Sequence, residues 1–135
     1  MNHKLNKILQ TTQVNLYGCD KQLIDNKRIV KKFLENLVQF IGMNKISPAL
    51  VKSKNPTVFS FESARVERPN VEDGVTGVII LYESHCSIHT WPADEYNNFA
   101  CVLIHSCKEY DSEKTVDFCT SFFKAERAEF KVVSI

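Results

Sequence analysis

The chain has little that would mark it as a membrane, extracellular or nucleic-acid-binding protein. No apolar run approaches the roughly 18 residues needed to span a bilayer, and Met1 to Thr12 is polar and mixed rather than leader-like. Neither sign of charge dominates: 17 Lys and Arg stand against 16 Asp and Glu, a formal charge of +1. No basic footprint for nucleic acid or an anionic membrane is therefore expected. The one dense basic cluster, Lys27, Arg28, Lys31 and Lys32, reads as the solvated face of a helix. The five cysteines are odd in number and never fall in a C-x-x-C pair, which favours reduced thiols and a cytoplasmic location over a disulfide framework. Low-complexity tracts are lacking, as is the G-x-S-x-G elbow of a serine hydrolase. At 135 residues the chain fits one domain, 1–135, whose core needs neither disulfides nor a structural metal.

What is present alternates between two periodicities. Val14 to Cys19 reads as a strand with Gly18 and Asp20 at its exit. Ile29, Val30, Phe33, Leu34, Leu37, Val38 and Ile41 recur at helical spacing, with Asp25 or Asn26 as cap and Gly42 as stop. Ile46 to Lys52 and Thr57 to Glu62 are strand candidates around a turn at Ser53 to Pro56, and Arg65 to Asp73 reads as a loop. Strands follow at Thr76 to Tyr82, Ser87 to Trp91 and Phe99 to Ser106. A second helix, capped by Asp111 or Ser112 and running to about Glu126, buries Val116, Cys119, Phe122 and Phe123, and Phe130 to Val133 closes the chain as a strand. Two helices are too few for a doubly wound parallel sheet, so the expected fold is α+β: a two-layer α/β sandwich with a mainly antiparallel sheet and two main helices.

Glu83-Ser84-His85, followed by His89-Thr90-Trp91-Pro92 and later by Cys107, combines a bond that a side chain could break with candidate acids and bases. A serine can attack the carbonyl before it and convert the amide to an ester when the backbone is strained and the developing oxyanion is hydrogen-bonded. Removal of the serine α-proton then expels the ester, and hydrolysis of the resulting dehydroalanine leaves a pyruvoyl group. Such a ketone forms a Schiff base with a substrate amine and draws in the electrons of a departing carboxylate. Ser84 and His89 are five apart, an odd number that places them on opposite faces of a regular strand, so a bend or bulge near Ser84 is expected. His85 and His89 have a spacing that binds metal on a helix. Ile88, Thr90 and Pro92 disfavour a helix there, no third ligand is apparent, and no metal site is expected.

The run from Asp73 to Pro92, ending in Glu83-Ser84-His85-Cys86-Ser87-Ile88-His89-Thr90-Trp91-Pro92, resembles the bacterial and archaeal S-adenosylmethionine decarboxylase proenzymes, which are pyruvoyl-dependent. Leu16-Tyr17-Gly18-Cys19-Asp20 is similar to the family's first strand, and Phe99 to Asp111 to its strand ending in a functional cysteine. The resemblance implies cleavage between Glu83 and Ser84 into chains 1–83 and 84–135, with the pyruvoyl group derived from Ser84. It makes His89 the base that removes the Ser84 α-proton and Cys107 the proton donor after CO2 leaves. Thr76 stands where a small hydroxyl residue, commonly Ser, helps stabilise the tetrahedral intermediate. Aligning Phe99 to Cys107 on the family pattern leaves Cys101 as core, and packing is also the expectation for Cys86. The implied enzyme is a carboxy-lyase that converts S-adenosylmethionine, a small amino-acid-type substrate, to its aminopropyl-donor product for spermidine and polyamine synthesis. Relatives are dimers with sites at the subunit interface, so a homodimer is implied.

The departures from the family pattern fall on substrate recognition. Where many relatives have a ribose-binding Glu after the Trp-Pro pair, Ala93 stands here, followed by Asp94 and Glu95. Either acid could replace that carboxylate, and Trp91 could line the pocket. Arg65 to Asp73 has no aromatic residue to stack on adenine, Leu103 lies where Asp is usual and His105 where Phe is common. Two alternatives stay open on the residues alone. One is a sister decarboxylase of arginine or ornithine, with Glu67, Glu72, Asp73, Asp94 or Glu95 pairing with the cationic end. The other is a catalytically inactive regulatory paralogue.

Overall fold

A computed structural model describes residues 8–54, 73–93 and 98–135. The strand expected at Thr57 to Glu62, most of the loop from Arg65 to Asp73, and Asp94 and Glu95 lie outside the described residues. Within them the chain runs β1 (Gln10–Tyr17), α1 (Lys21–Ile24), α2 (Lys27–Phe40), β2 (Leu50–Ser53), β3 (Val75–Leu81), β4 (Ser84–Trp91), β5 (Phe99–Ser106), α3 (Ser112–Phe122) and β6 (Arg127–Ser134). The strands form one antiparallel sheet in the order β2-β3-β4-β5-β1-β6, with α2 and α3 on one face. This is the expected two-layer α+β sandwich.

Local chemistry sets most boundaries. The Asn26 side chain accepts the Ile29 N–H at the start of α2, and Asp111 accepts the Lys114 N–H at the start of α3. Val30, Phe33, Leu34, Leu37 and Val38 form the buried stripe of α2. Phe33 is its centre, with ring centroids 4.7 Å from Phe123 and 5.1 Å from Phe122. At Gly77 the sheet comes so close to this helix that an added Cβ would lie 3.0 Å from a Leu34 methyl.

Several expectations shift: β1 spans Gln10–Tyr17 rather than Val14 to Cys19, β4 starts at Ser84 rather than Ser87, and β6 spans Arg127–Ser134 rather than Phe130 to Val133, because ladder pairing extends past the apolar core of each strand. The second helix ends at Phe122 rather than near Glu126, because Lys124 takes a φ of 53° and turns the chain back toward the sheet. The strand expected from Ile46 narrows to Leu50–Ser53; Pro48 has no N–H to give a ladder. A short helix, Lys21–Ile24, appears where none was expected, with Asp20 as its cap. It ties down the far end of β4, since the buried Thr90 hydroxyl donates to the Ile24 carbonyl and accepts from the Val75 N–H.

The two faces of the sheet differ. Cys86, Ile88 and Thr90 of β4 and Ala100, Val102, Ile104 and Ser106 of β5 are buried under the helices. His85, Ser87, His89 and Trp91, with Phe99, Cys101, Leu103 and His105, point the other way. Among the described residues no helix covers that second face.

Candidate active site

Tyr82 and Glu83 join β3 to β4 as a two-residue connection, with Leu81 and Ser84 paired across it. Such a tight hairpin normally places its positive φ angles on Gly or Asn within the turn. Neither Tyr82 nor Glu83 has one; the positive φ, 149°, falls on Ser84. This torsion lies directly after the Glu83–Ser84 amide, in a region that favours glycine and costs a serine on the order of 1–3 kcal/mol. The irregularity expected near Ser84 is thus a backbone torsion at the strand's first residue, not a bulge, since pairing with β3 and β5 runs unbroken from it.

The turn is braced from several sides. Asn44 donates from its backbone to Glu83 Oε1 and from its side chain to Glu83 Oε2, both at 3.1 Å, while its carbonyl accepts the Tyr82 N–H. Desolvation pushes the Glu83 pKa up, but the Asn44 hydrogen bonds outweigh it and hold the carboxyl below its ordinary value. The Glu83 carbonyl oxygen, where charge would develop during an acyl shift, accepts the Cys107 N–H at 3.0 Å. Cys107 is positioned by the buried Ser106, whose hydroxyl accepts the Lys108 N–H and donates to the Lys108 carbonyl, both at 2.8 Å. The Ser84 hydroxyl lies 3.2 Å from His85 Nδ1.

A second cluster occupies the other end of β4 on the open face. His89 is paired with Thr76 on β3 and Cys101 on β5, and its Nδ1 is 3.1 Å from Thr76 Oγ1. Desolvation and then the Lys54 charge both push the His89 pKa below its ordinary value, which favours the neutral, proton-accepting ring. Trp91 continues the row, stacked beside His89 at 6.0 Å and tilted against Phe99 at 5.4 Å. Lys54 Nζ sits 3.8 Å above the Trp91 ring and donates to the Thr90 carbonyl.

One chain does not bring the two clusters together. At about 3.3 Å per strand residue, Ser84 and His89 stand roughly 16 Å apart. The obstacle is thus distance along the strand, which a bend at Ser84 does not remove. Glu83, Ser84 and Cys107 meet at one end, and Thr76, His89 and Trp91 at the other.

Sequence reasoning placed some residues incorrectly or passed over them. Cys101, expected in the core, is half-buried on the open face opposite His89. The alternation of β5 carried that information, since Cys101 shares its parity with Phe99 and His105. Cys86 is packed as expected, and burial pushes its thiol up to about 12. His85 faces His105 across the ladder rather than His89 along a helix. Asn44 and Lys54 were missed; their roles depend on contacts 39 and 36 residues away in sequence, which no local pattern reveals.

Known proteins resemble this chain in sequence and fold. The family model described as S-adenosylmethionine decarboxylase matches residues 10–134. The S-adenosylmethionine decarboxylase proenzyme of Methanococcus vannielii is 35% identical over 117 residues, covering 86% of this chain and 80% of its own. The proenzyme of Pyrococcus furiosus is 35% identical over 116 residues, covering 85% and 69%. The crystal structure of adenosylmethionine decarboxylase from Aquifex aeolicus superposes with a TM-score of 0.72 at 25% identity, covering 96% of this chain and 91% of that one.

Proposed function

The chain belongs to the S-adenosylmethionine decarboxylase family, and we propose that it is a self-processing, pyruvoyl-dependent decarboxylase acting on S-adenosylmethionine in polyamine synthesis. One observation carries this reading: the Glu83 carbonyl oxygen accepts the Cys107 N–H at 3.0 Å, while the next residue, Ser84, is held at a φ of 149°. A strained serine behind a polarised carbonyl is what an amide-to-ester shift needs. Cleavage there would give chains 1–83 and 84–135, the second beginning with a pyruvoyl group.

The pyruvoyl ketone supplies the electron sink for loss of CO2 from a substrate that has condensed with it through its amine. The remaining tasks belong to side chains of this protein. In the tautomer that this role requires, Thr76 accepts from His89 Nδ1–H across 3.1 Å and leaves Nε2 as the base for the Ser84 α-proton. The Cys107 thiol delivers a proton to the substrate carbon that has lost its carboxylate. Trp91, 46% exposed with Lys54 on one face, offers an aromatic wall to the substrate, and Asp94 and Glu95 follow it in sequence as candidate partners for the ribose hydroxyls.

The separation along β4 supports a dimeric assembly. His89 and Thr76 act on Ser84 only if they come from a second copy, so the protein works as a homodimer. The open sheet faces meet, and each site combines Ser84 and Cys107 of one subunit with Thr76 and His89 of the partner subunit. Denaturing mass spectrometry of the purified protein, coupled to CO2 release from labelled S-adenosylmethionine, arginine and ornithine in parallel, tests the reading. Two chains, a blocked 84–135 piece and CO2 from S-adenosylmethionine alone are the expected results. One uncut, inactive chain would refute self-processing, and release from another substrate would reassign the pocket.

A further inference from the structure

We propose that His85 is the general base of the first step at Glu83–Ser84, taking the hydroxyl proton of Ser84 as the amide rearranges to an ester. The proposal rests on the self-processing reading above, which gives His89 the later α-proton and leaves the hydroxyl proton of the first step without a base.

The geometry places each partner of that step within one chain. Ser84 Oγ is 3.2 Å from His85 Nδ1, and the oxygen that gains charge is already hydrogen-bonded to the Cys107 N–H. Across the ladder His85 is flanked by Ile80 on β3, which cannot titrate, and by His105 on β5. The two imidazole centroids are 5.4 Å apart, and His105 is itself fixed by a 2.6 Å hydrogen bond between its Nδ1 and Thr11 Oγ1. The Glu83 carboxylate, the nearest acid in sequence, is engaged by Asn44. Burial, then repulsion from His105, lowers the His85 pKa, so the ring stays neutral and able to accept a proton as the pH falls toward the ordinary histidine range.

The step balances without a co-reactant. As the Ser84 Oγ–H proton moves to His85 Nδ1, Oγ bonds to the Glu83 carbonyl carbon and the carbonyl electron pair moves onto oxygen, facing the Cys107 N–H. The C–N bond then breaks, the carbonyl re-forms, and His85 returns its proton to the Ser84 nitrogen. The products are an ester between the Glu83 carboxyl and Ser84 Oγ and a free amine, with no atom gained or lost. His105 acts on this step only through His85 and is a positioning residue.

Ester formation isolates the step. His89→Ala should accumulate a hydroxylamine-cleavable ester, read by mass spectrometry as the 1–83 hydroxamate. In the same background, His85→Ala should slow ester appearance by about 10²- to 10⁴-fold, the range for loss of a general base, and added imidazole should restore it. His85→Gln, closer in size, should be as slow but insensitive to imidazole. His105→Phe removes the repulsion that lowers the His85 pKa, so the acid limb of the ester-formation profile should move to higher pH. A purely structural role for His85 would move neither the imidazole response nor that limb. Ester formation at an undiminished rate in both His85 variants would overturn the proposal and leave self-processing intact. Absence of ester in His89→Ala together with an uncut native chain would sink both.

Discussion

The two ends of β4 are built on different physical terms. At its first residue the strand carries Ser84 in positive φ beside a two-residue turn, with the Glu83 side chain and carbonyl pinned by Asn44 and Cys107. Five residues on, His89 sits in regular antiparallel pairing between Thr76 and Cys101, in a row with Trp91 and Phe99. On the proposed reading, reactivity at the first end comes from the backbone geometry of the turn. At the second it comes from a ring whose protonation is set by burial and a neighbouring charge, for which a flat, rigid strand serves better. A single strand can hold both kinds of site but cannot superimpose them, which is why the proposed mechanism draws on a second subunit.

The sharpest way to break that comparison is to put the two ends on separate chains. Ser84→Ala and His89→Ala should each leave an uncut polypeptide when expressed alone. Expressed together, they should yield cleaved His89→Ala chains, because a mixed dimer has one site with both residues intact. Mass spectrometry distinguishes the two chains, and failure of the mixture to cleave would return both functions to one subunit.

Next in size is the dissection of Cys107. Cys107→Ala keeps the N–H and loses the thiol, so it should still cleave but lose productive decarboxylation. Cys107→Pro removes the N–H as well and should slow cleavage by about 10²- to 10³-fold, the range for one lost oxyanion donor. Equal cleavage rates in the two variants would show that the hydrogen bond to the Glu83 carbonyl contributes nothing.

Gly74 tests the rigidity of the far end. Its φ is 101°, and an added Cβ would lie 2.4 Å from the Thr90 carbonyl oxygen, so Gly74→Ala should lower stability in denaturant titration by roughly 1–3 kcal/mol. The smallest effect concerns Lys54. Its charge lowers the His89 pKa, and Lys54→Met removes that repulsion, letting His89 protonate at higher pH. The acid limb of elimination from preformed ester should shift upward, and an unchanged or downward shift would contradict the sign.

Much of this was legible in the residues. The helix stripe from Val30 to Val38 and the caps at Asn26 and Asp111 are local patterns, read correctly because periodicity and capping chemistry act within a few positions. The parity argument pointed to an irregularity at Ser84, which is present as a positive φ, but its premise that Ser84 and His89 meet within one strand fails on their separation of roughly 16 Å. What stayed hidden depends on distant contacts: the Asn44 clamp on Glu83, Lys54 above Trp91, and the exposure of Cys101. The end of α3 was misjudged because Phe123 continues the apolar pattern, while Lys124 breaks the helix with a left-handed turn that no Gly announces.

The hairpin turn at Tyr82 and Glu83 has one more consequence. The proposed cut after Glu83 would divide the sheet between two polypeptides, with β1, β2 and β3 on one and β4, β5 and β6 on the other. In the order β2-β3-β4-β5-β1-β6 the pieces then alternate at three seams, β3 with β4, β5 with β1, and β1 with β6. They are interlaced, and neither can leave without unzipping these ladders. The uncut chain folds with all its strands covalently joined, whereas the cut protein, once denatured, must find its other half in solution. Its melting and refolding therefore acquire a dependence on concentration from a reassociation step that the uncut chain does not have, and maturation becomes a one-way passage from a chain that can refold alone to an assembly that cannot.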